Sequence, residues 1–120
     1  MILIGKIVVT PRTGPVVPYI QNNAPGVKLV VTANYEESLG RVIKGEADAA
    51  ALGFHVSISI ARRLYPGRVT LPRSMFTELP LAVGVMKGRQ TPFLTQLNAG
   101  LAAIRADGTW QRINDRWMER

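Results

Sequence analysis

Apolar and polar positions along this chain switch repeatedly between a period of two and a period near 3.6. Residues 5–10, GKIVVT, form a short β-branched run that reads as a strand. Arg12, Thr13, Gly14 and Pro15 read as a loop. Pro15 suits the first turn of a helix, where its missing N–H would have had no intrahelical partner. A short helix then runs to about Asn23, with Val16, Val17, Tyr19 and Ile20 as its apolar surface and Pro18 still in its first turn. Pro25 and Gly26 end that unit, and 27–32, VKLVVT, reads as a second strand.

Asn34 is a good helix N-cap, and Glu37 three residues later completes a capping-box pattern. Leu39, Val42 and Ile43 share one face of the helix that follows, and Gly45 stands where a left-handed C-terminal cap belongs. Residues 47–53 read as a buried strand of small side chains. Over 54–65 the two periods compete: Val56, Ile58 and Ile60 alternate, while Ile60 and Leu64 suit a helix. A crossover is needed before the next strand, expected at 68–71, so a helix is favoured. Residues 72–77 read as a loop and 79–86 as a strand with Pro80 near its start. Thr91 is the expected cap of a helix with Pro92 at its first position and an apolar stripe of Leu94, Leu97, Leu101 and Ile104. Gly108 ends it, and Thr109 starts a last short helix with Trp110, Ile113 and Trp117 on one side. Helical spacing makes the two tryptophans packing anchors rather than a stacking box for a ligand.

Strands and helices thus alternate, which predicts an α/β three-layer sandwich with a mostly parallel sheet. There is no internal repeat, and the one shift in composition falls near the proline-containing stretch 72–80.

Composition narrows the chemistry. The chain has 120 residues, 47% of them apolar and 19% charged, which fits one globular domain and not a disordered chain. No apolar run approaches the roughly 18 residues of a membrane span, and the start, MILIGKIVVT, lacks the form of a signal peptide. That start fits either a cytosolic chain or one lacking its natural N-terminus. With no cysteine, there is no disulfide, zinc–thiolate site or thiol nucleophile. The single histidine is His55, and the eight carboxylates show no ligand spacing, so neither a metal nor a cofactor is expected. Fifteen lysines and arginines against eight acids give a net charge of +7. The basic residues are scattered, with only Arg62 and Arg63 adjacent, and no glycine-rich phosphate loop is present. That describes a solvated basic surface, not a nucleic-acid footprint.

Three stretches carry a resemblance: GKIVVT, then NYEESLGRVIKGEADAAALG, then LAVGVMKGRQTPFLTQLNAGLAAIRADGTWQRINDRW. They resemble the bacterial extracellular solute-binding proteins of family 3, the two-lobed binding proteins of polar amino-acid ABC importers. The last stretch is the most specific, with its lysine–glycine turn, its "DGT" turn and its tryptophan-containing end helix. The Gly-x-x-Asp-Ala step over 45–49 is the second marker. The resemblance covers nearly the whole chain. It implies one lobe of a periplasmic-binding-protein type II fold, with 4–78 as the second, C-terminal lobe. Residues 79–120 would be the return strand and end helices that pack on the first lobe in the family. The sheet of that first lobe, and the arginine it supplies to clamp an α-carboxylate, are absent from this chain.

The site carries over position by position. In the family the loop after the lobe's first strand reads Gln-x-Gly-Thr-Thr, and it holds the ligand carboxylate at a helix N-terminus. Here the loop reads Thr10, Pro11, Arg12, Thr13, Gly14. Thr13 matches the first threonine, Arg12 replaces the glycine and Gly14 the second threonine. Arg12 would add positive charge facing an anionic ligand; the alternative is a solvent-exposed loop arginine. The family's aspartate for the α-ammonium falls at Gly53, followed by Phe54 and His55. A buried cation without a carboxylate partner is disfavoured, so an acid lacking the amino group is expected to fit better. His55 could bind an anion when protonated, or simply be satisfied by water or backbone at a helix start. Asp48 reads as structural, at a strand's start.

The resemblance implies a non-enzymatic solute binder, periplasmic, working with the membrane permease of an ABC importer on a small polar or anionic solute. The alternatives are the sensory domain of a receptor or an enzyme on the same fold, such as a cyclohexadienyl dehydratase-like lyase. The sequence offers no paired carboxylates or activated nucleophile in one loop for the latter. Strand 81–86 is expected to fill the lobe's empty strand position in its own chain or in a partner, the second case being a segment-exchanged homodimer.

Overall fold

The computed structural model describes residues 3–78 and 80–118. The elements in chain order are β1 (Ile7–Pro11), α1 (Val16–Asn23), β2 (Lys28–Thr32), α2 (Tyr35–Ile43), β3 (Ala49–Ala50), α3 (Phe54–Leu64), α4 (Thr91–Ala106) and α5 (Thr109–Met118). They fall into two units, one ending at Thr77 and one beginning at Glu78.

In the first unit β1 is the central strand of a parallel sheet ordered β2-β1-β3. Ile7 stands opposite Lys28 and Pro11 opposite Thr32, while Val8 and Val9 stand opposite Ala49 and Ala50. The chain therefore leaves β1 to one side and comes back past it to the other. Right-handed crossovers then put α1 on one face and α2 on the opposite one. Val8 joins Ile20 and Ala51 in a buried cluster with Val16, Tyr19 and Leu29 around it. Val9 alternates to the other face, where Leu39, Ile58 and Ala61 are buried. The α1 face is incompletely filled: an apolar cavity of about 140 Å³ lies among Leu3, Val8, Tyr19, Ile20, Ala51 and Phe76.

Polar ties fix the sheet's ends. The Asp48 carboxylate accepts from the Ile7 N–H at 2.8 Å, and the Asp48 N–H donates to the Ile7 carbonyl at 2.8 Å. This locks the starts of β1 and β3 together and gives Asp48 the structural place expected of it. At the other end the buried Thr10 hydroxyl donates to the Ala51 carbonyl at 2.8 Å. The Thr32 and Ser38 hydroxyls, both buried, bond at 2.6 Å and tie β2 to α2.

Local signals set α2 at both ends. Asn34 Oδ1 accepts from the Glu37 N–H at 2.8 Å, and the Glu37 carboxylate reaches back to the Ala33 N–H at 2.8 Å. Gly45 has φ +75°, with the Gly45 N–H on the Val42 carbonyl and the Glu46 N–H on the Arg41 carbonyl. That pair of bonds is the Schellman stop, which a residue with a Cβ enters at a cost.

Two expected strands are not formed. Residues 68–71 follow a turn through Gly67, in which the Arg68 N–H bonds to the Tyr65 carbonyl. Only Val69 of the four is even half-buried, too little apolar burial to hold a strand. Of the expected strand 79–86, Leu79 lies outside the described residues, and 80–86 pair with nothing as a strand. Their unit contains no other described strand, and an unpaired strand leaves its N–H and C=O groups to water. The strand expected over 79–86 is therefore not formed among the described residues. The expected strand 47–53 contracts to Ala49–Ala50.

The second unit is helical. Gln90, at φ 59°, is the N-cap of α4, and Thr91 is already helical, so Thr91 is not the cap expected of it. Gly108, at φ +80°, separates α4 from α5. Neither helix buries a residue. Leu94, Leu97 and Ile104 are half-buried and Leu101 is exposed. Trp117 is 67% exposed, and the Arg105 guanidinium stacks 5.1 Å from the Trp110 ring centre. The tryptophans are thus not the buried anchors their spacing suggested: α4 and α5 alone leave their stripes without a full counter-surface.

Candidate functional site

Because the sheet is parallel, β1, β2 and β3 all end at the same edge, and each hands over there to a helix N-terminus. In open α/β sheets, ligands bind outside the carboxyl ends of the strands where the strand order reverses. Here the reversal lies between β1, which leads toward β2, and β3 on its other side. The loops at that point are 12–15 and 51–53. They carry Arg12, Thr13 and Gly14 on one side and lead into Gly53, Phe54 and His55 on the other. The topology brings both candidate groups to the same edge of the sheet, next to the Thr10–Ala51 hydrogen bond.

On the β1 side, the Arg12 N–H continues the ladder to the Thr32 carbonyl at 3.0 Å, and its side chain is exposed. Among the described residues the Arg12 guanidinium has no carboxylate within ion-pair distance. Thr13 is exposed, and Gly14 has φ +108°, a turn conformation that L side chains rarely adopt. The N-cap of α1 is Pro15, which offers no side-chain cap. The Pro15 carbonyl accepts from the Tyr19 N–H. The first-turn amides of Val16 and Val17 therefore lack any helical partner.

On the β3 side, Gly53 is the N-cap of α3, again without a side-chain cap. Its carbonyl accepts from the Ser57 N–H at 2.9 Å. Phe54 is half-buried and His55 exposed, with their rings edge-to-face at 5.7 Å. No carboxylate stands at position 53 or beside it in the chain. α2, which starts at the same edge, is closed by Asn34 and Glu37. Glu37 is held below the usual glutamate range, first by the Ala33 N–H and then by Arg41, whose guanidinium lies 3.1 Å away.

Sequence reasoning missed Tyr35. It is the first residue of α2, and its hydroxyl accepts a hydrogen bond from the Gly53 N–H at 3.2 Å. The signal that could have found it is an aromatic residue directly after the Asn34 cap, at the same sheet edge as an unexplained glycine. Among the described residues no three His, Asp or Glu side chains cluster as metal ligands would.

No family model matches the chain. It is similar to the ABC transporter arginine-binding protein 1 of Escherichia coli (strain K12), 33% identical over 105 residues. That match takes in 83% of this chain and 42% of the relative. It is also similar in structure to an ancestral arginine-binding protein solved bound to glutamine, with a TM-score of 0.74 at 24% identity. That superposition covers 98% of this chain and 52% of the solved one. The chain thus spans about half the length of the proteins it matches. Its fold class is α/β with a parallel sheet, one lobe of the periplasmic-binding-protein type.

Proposed function

We propose that this chain is the ligand-binding lobe of a solute-binding protein and not an enzyme. It would serve an ABC-type importer and take an amino acid or related small carboxylate. The observation that carries this reading is the carboxyl edge of the parallel sheet. Two helices, α1 and α3, start there behind residues that offer no capping side chain, flanking the point where the strand order reverses, with Arg12 alongside. Helix N-termini favour an anion through their N–H groups and their dipoles, and a guanidinium adds a charge-assisted donor. The similarity to an arginine-binding protein supports an amino-acid ligand, whose α-carboxylate such a site would take.

In this reading the polypeptide up to residue 78 is the second lobe, and residues 79–120 belong with a first lobe supplied by sequence not present here. The whole protein would close two lobes on its solute by a hinge motion, in the periplasm, and deliver it to a membrane permease. The fully exposed Leu81 and the exposed Val83 and Met86 support a segment that needs a partner, whether that first lobe or a second copy in a segment-exchanged homodimer. Arg12, Thr13, Gly14, Gly53, Phe54 and His55 would line the site. With no carboxylate at Gly53, an α-ammonium lacks its counter-charge, so an acid without the amino group is the favoured solute.

Glutarate and L-glutamate differ only by that ammonium, which makes them the discriminating probes beside L-arginine. Isothermal titration should show glutarate binding at least as tightly as L-glutamate, and Arg12→Ala weakening it about tenfold, the scale of one hydrogen bond to a charged group. Failure of all three probes to bind would overturn the reading. A clear preference for L-glutamate would overturn the assignment of Gly53.

A further inference from the structure

We propose that Tyr35 is a ligand-orienting residue of this site, its hydroxyl donating to a carboxylate oxygen of the solute, and that Gly53 is a glycine so that this hydroxyl can stand there. The inference rests on the binding reading above and adds a residue and a polar contact to it.

The backbone of Gly53 gives no reason for a glycine. Its φ of −62° and ψ of 125° are extended values open to any residue. The reason is the space beside it. A Cβ at position 53 would meet the Tyr35 hydroxyl oxygen at 2.8 Å, closer than real Cβ contacts come. The phenol therefore occupies the volume in which a side chain at 53 would begin. Tyr35 starts α2 just beyond the end of β2, and Gly53 lies just beyond β3. Those strands flank β1, so their ends stand about 10 Å apart by ordinary strand spacing. The tyrosine side chain reaches across that width to the other strand's loop.

The hydroxyl is held through one function only. It accepts from the Gly53 N–H at 3.2 Å, at the start of α3, where Gly53 itself offers no capping side chain. Its own proton has no acceptor among the described residues, and Tyr35 is half-buried. A hydroxyl that already accepts an N–H bond is polarised into a better donor. A proton donor fixed at a helix N-terminus, with Arg12 on the neighbouring loop, matches an acceptor that carries negative charge. A carboxylate oxygen meets that description, whereas an ammonium would meet only donors.

The test uses the intact chain with glutarate and L-arginine as probes, read by titration of amide cross-peaks so that millimolar binding is still measured. Tyr35→Phe keeps the ring and removes the hydroxyl. It should weaken both probes about tenfold and shift the Gly53 amide resonance in the free protein. Gly53→Ala displaces the hydroxyl and should weaken binding to a similar degree. Once the hydroxyl is gone the alanine has nothing to displace, so the double variant should bind no worse than Tyr35→Phe alone. Unfolding midpoints identify any variant that has merely lost its fold, and the non-additive pair is a result that general destabilisation does not produce. Wild-type binding of either probe with unchanged affinity in Tyr35→Phe overturns this proposal and leaves the binding reading intact. Failure of wild type to bind either probe overturns both.

Discussion

Three helices start at one edge of the sheet, and they start in two ways. α2 is sealed: Asn34 takes the Glu37 N–H, Glu37 takes the Ala33 N–H, and Arg41 holds the far oxygen of Glu37. α1 and α3 begin behind Pro15 and Gly53, neither of which offers a capping side chain. Helix starts normally acquire a side-chain acceptor because each capped amide stabilises the fold. Two of the three starts, on either side of the strand-order reversal, have no cap from their own N-cap residue. The difference teaches where the proposed site separates stability from binding: α2 is closed by its own side chains, and the starts of α1 and α3 are where the proposed solute would sit.

The largest expected effect is on the sealed side. Asn34→Ala should cost about 1 kcal/mol of unfolding free energy, the usual worth of an N-cap. Thr13→Ala on the open side removes an exposed side chain and should stay within about 0.5 kcal/mol of wild type. Urea denaturation of the two variants checks the contrast, and equal losses would erase it.

A smaller effect separates the two kinds of helix start by pH. The folded-state affinity of Glu37 for a proton is lowered by the Ala33 N–H first and by Arg41 next. Its contribution is therefore complete above the ordinary glutamate range and is lost as pH falls through that range to the lowered folded value. In the second unit Asp107 behaves likewise, its carboxylate held by the Thr109 hydroxyl and amide. Urea midpoints followed from neutral pH into acid should fall for wild type and fall less for Glu37→Gln. Parallel curves would mean that the α2 seal adds no acid sensitivity.

What the sequence disclosed follows the range of the interaction. The α2 seal and the Gly45 stop span four or five residues and were legible from residue type alone. The α3 helix was favoured because a crossover had to precede a strand at 68–71; that strand is absent, and the face α3 buries is Ser57, Ile58 and Ala61 rather than the Ile60 and Leu64 that suited a helix. The two candidate loops were found through a resemblance, and only the strand order shows that they share an edge. The runs at 68–71 and 80–86 looked like strands because local β-propensity says nothing about a pairing partner. Trp110 and Trp117 looked like anchors because helical spacing does not report whether a counter-surface exists. The Tyr35–Gly53 contact, eighteen residues apart, could not be read from any window of sequence.

The most direct test of the account is an amide chemical-shift map of the intact chain titrated with glutarate. Saturable shifts are expected at Val16 and Val17 and over 54–56, with Gly53 following through the Tyr35 hydroxyl it bonds, while the Ala33 and Glu37 amides, closed within the α2 cap, hold still. Shifts centred on Ala33 and Glu37, or spread without saturation over the basic surface, would contradict it.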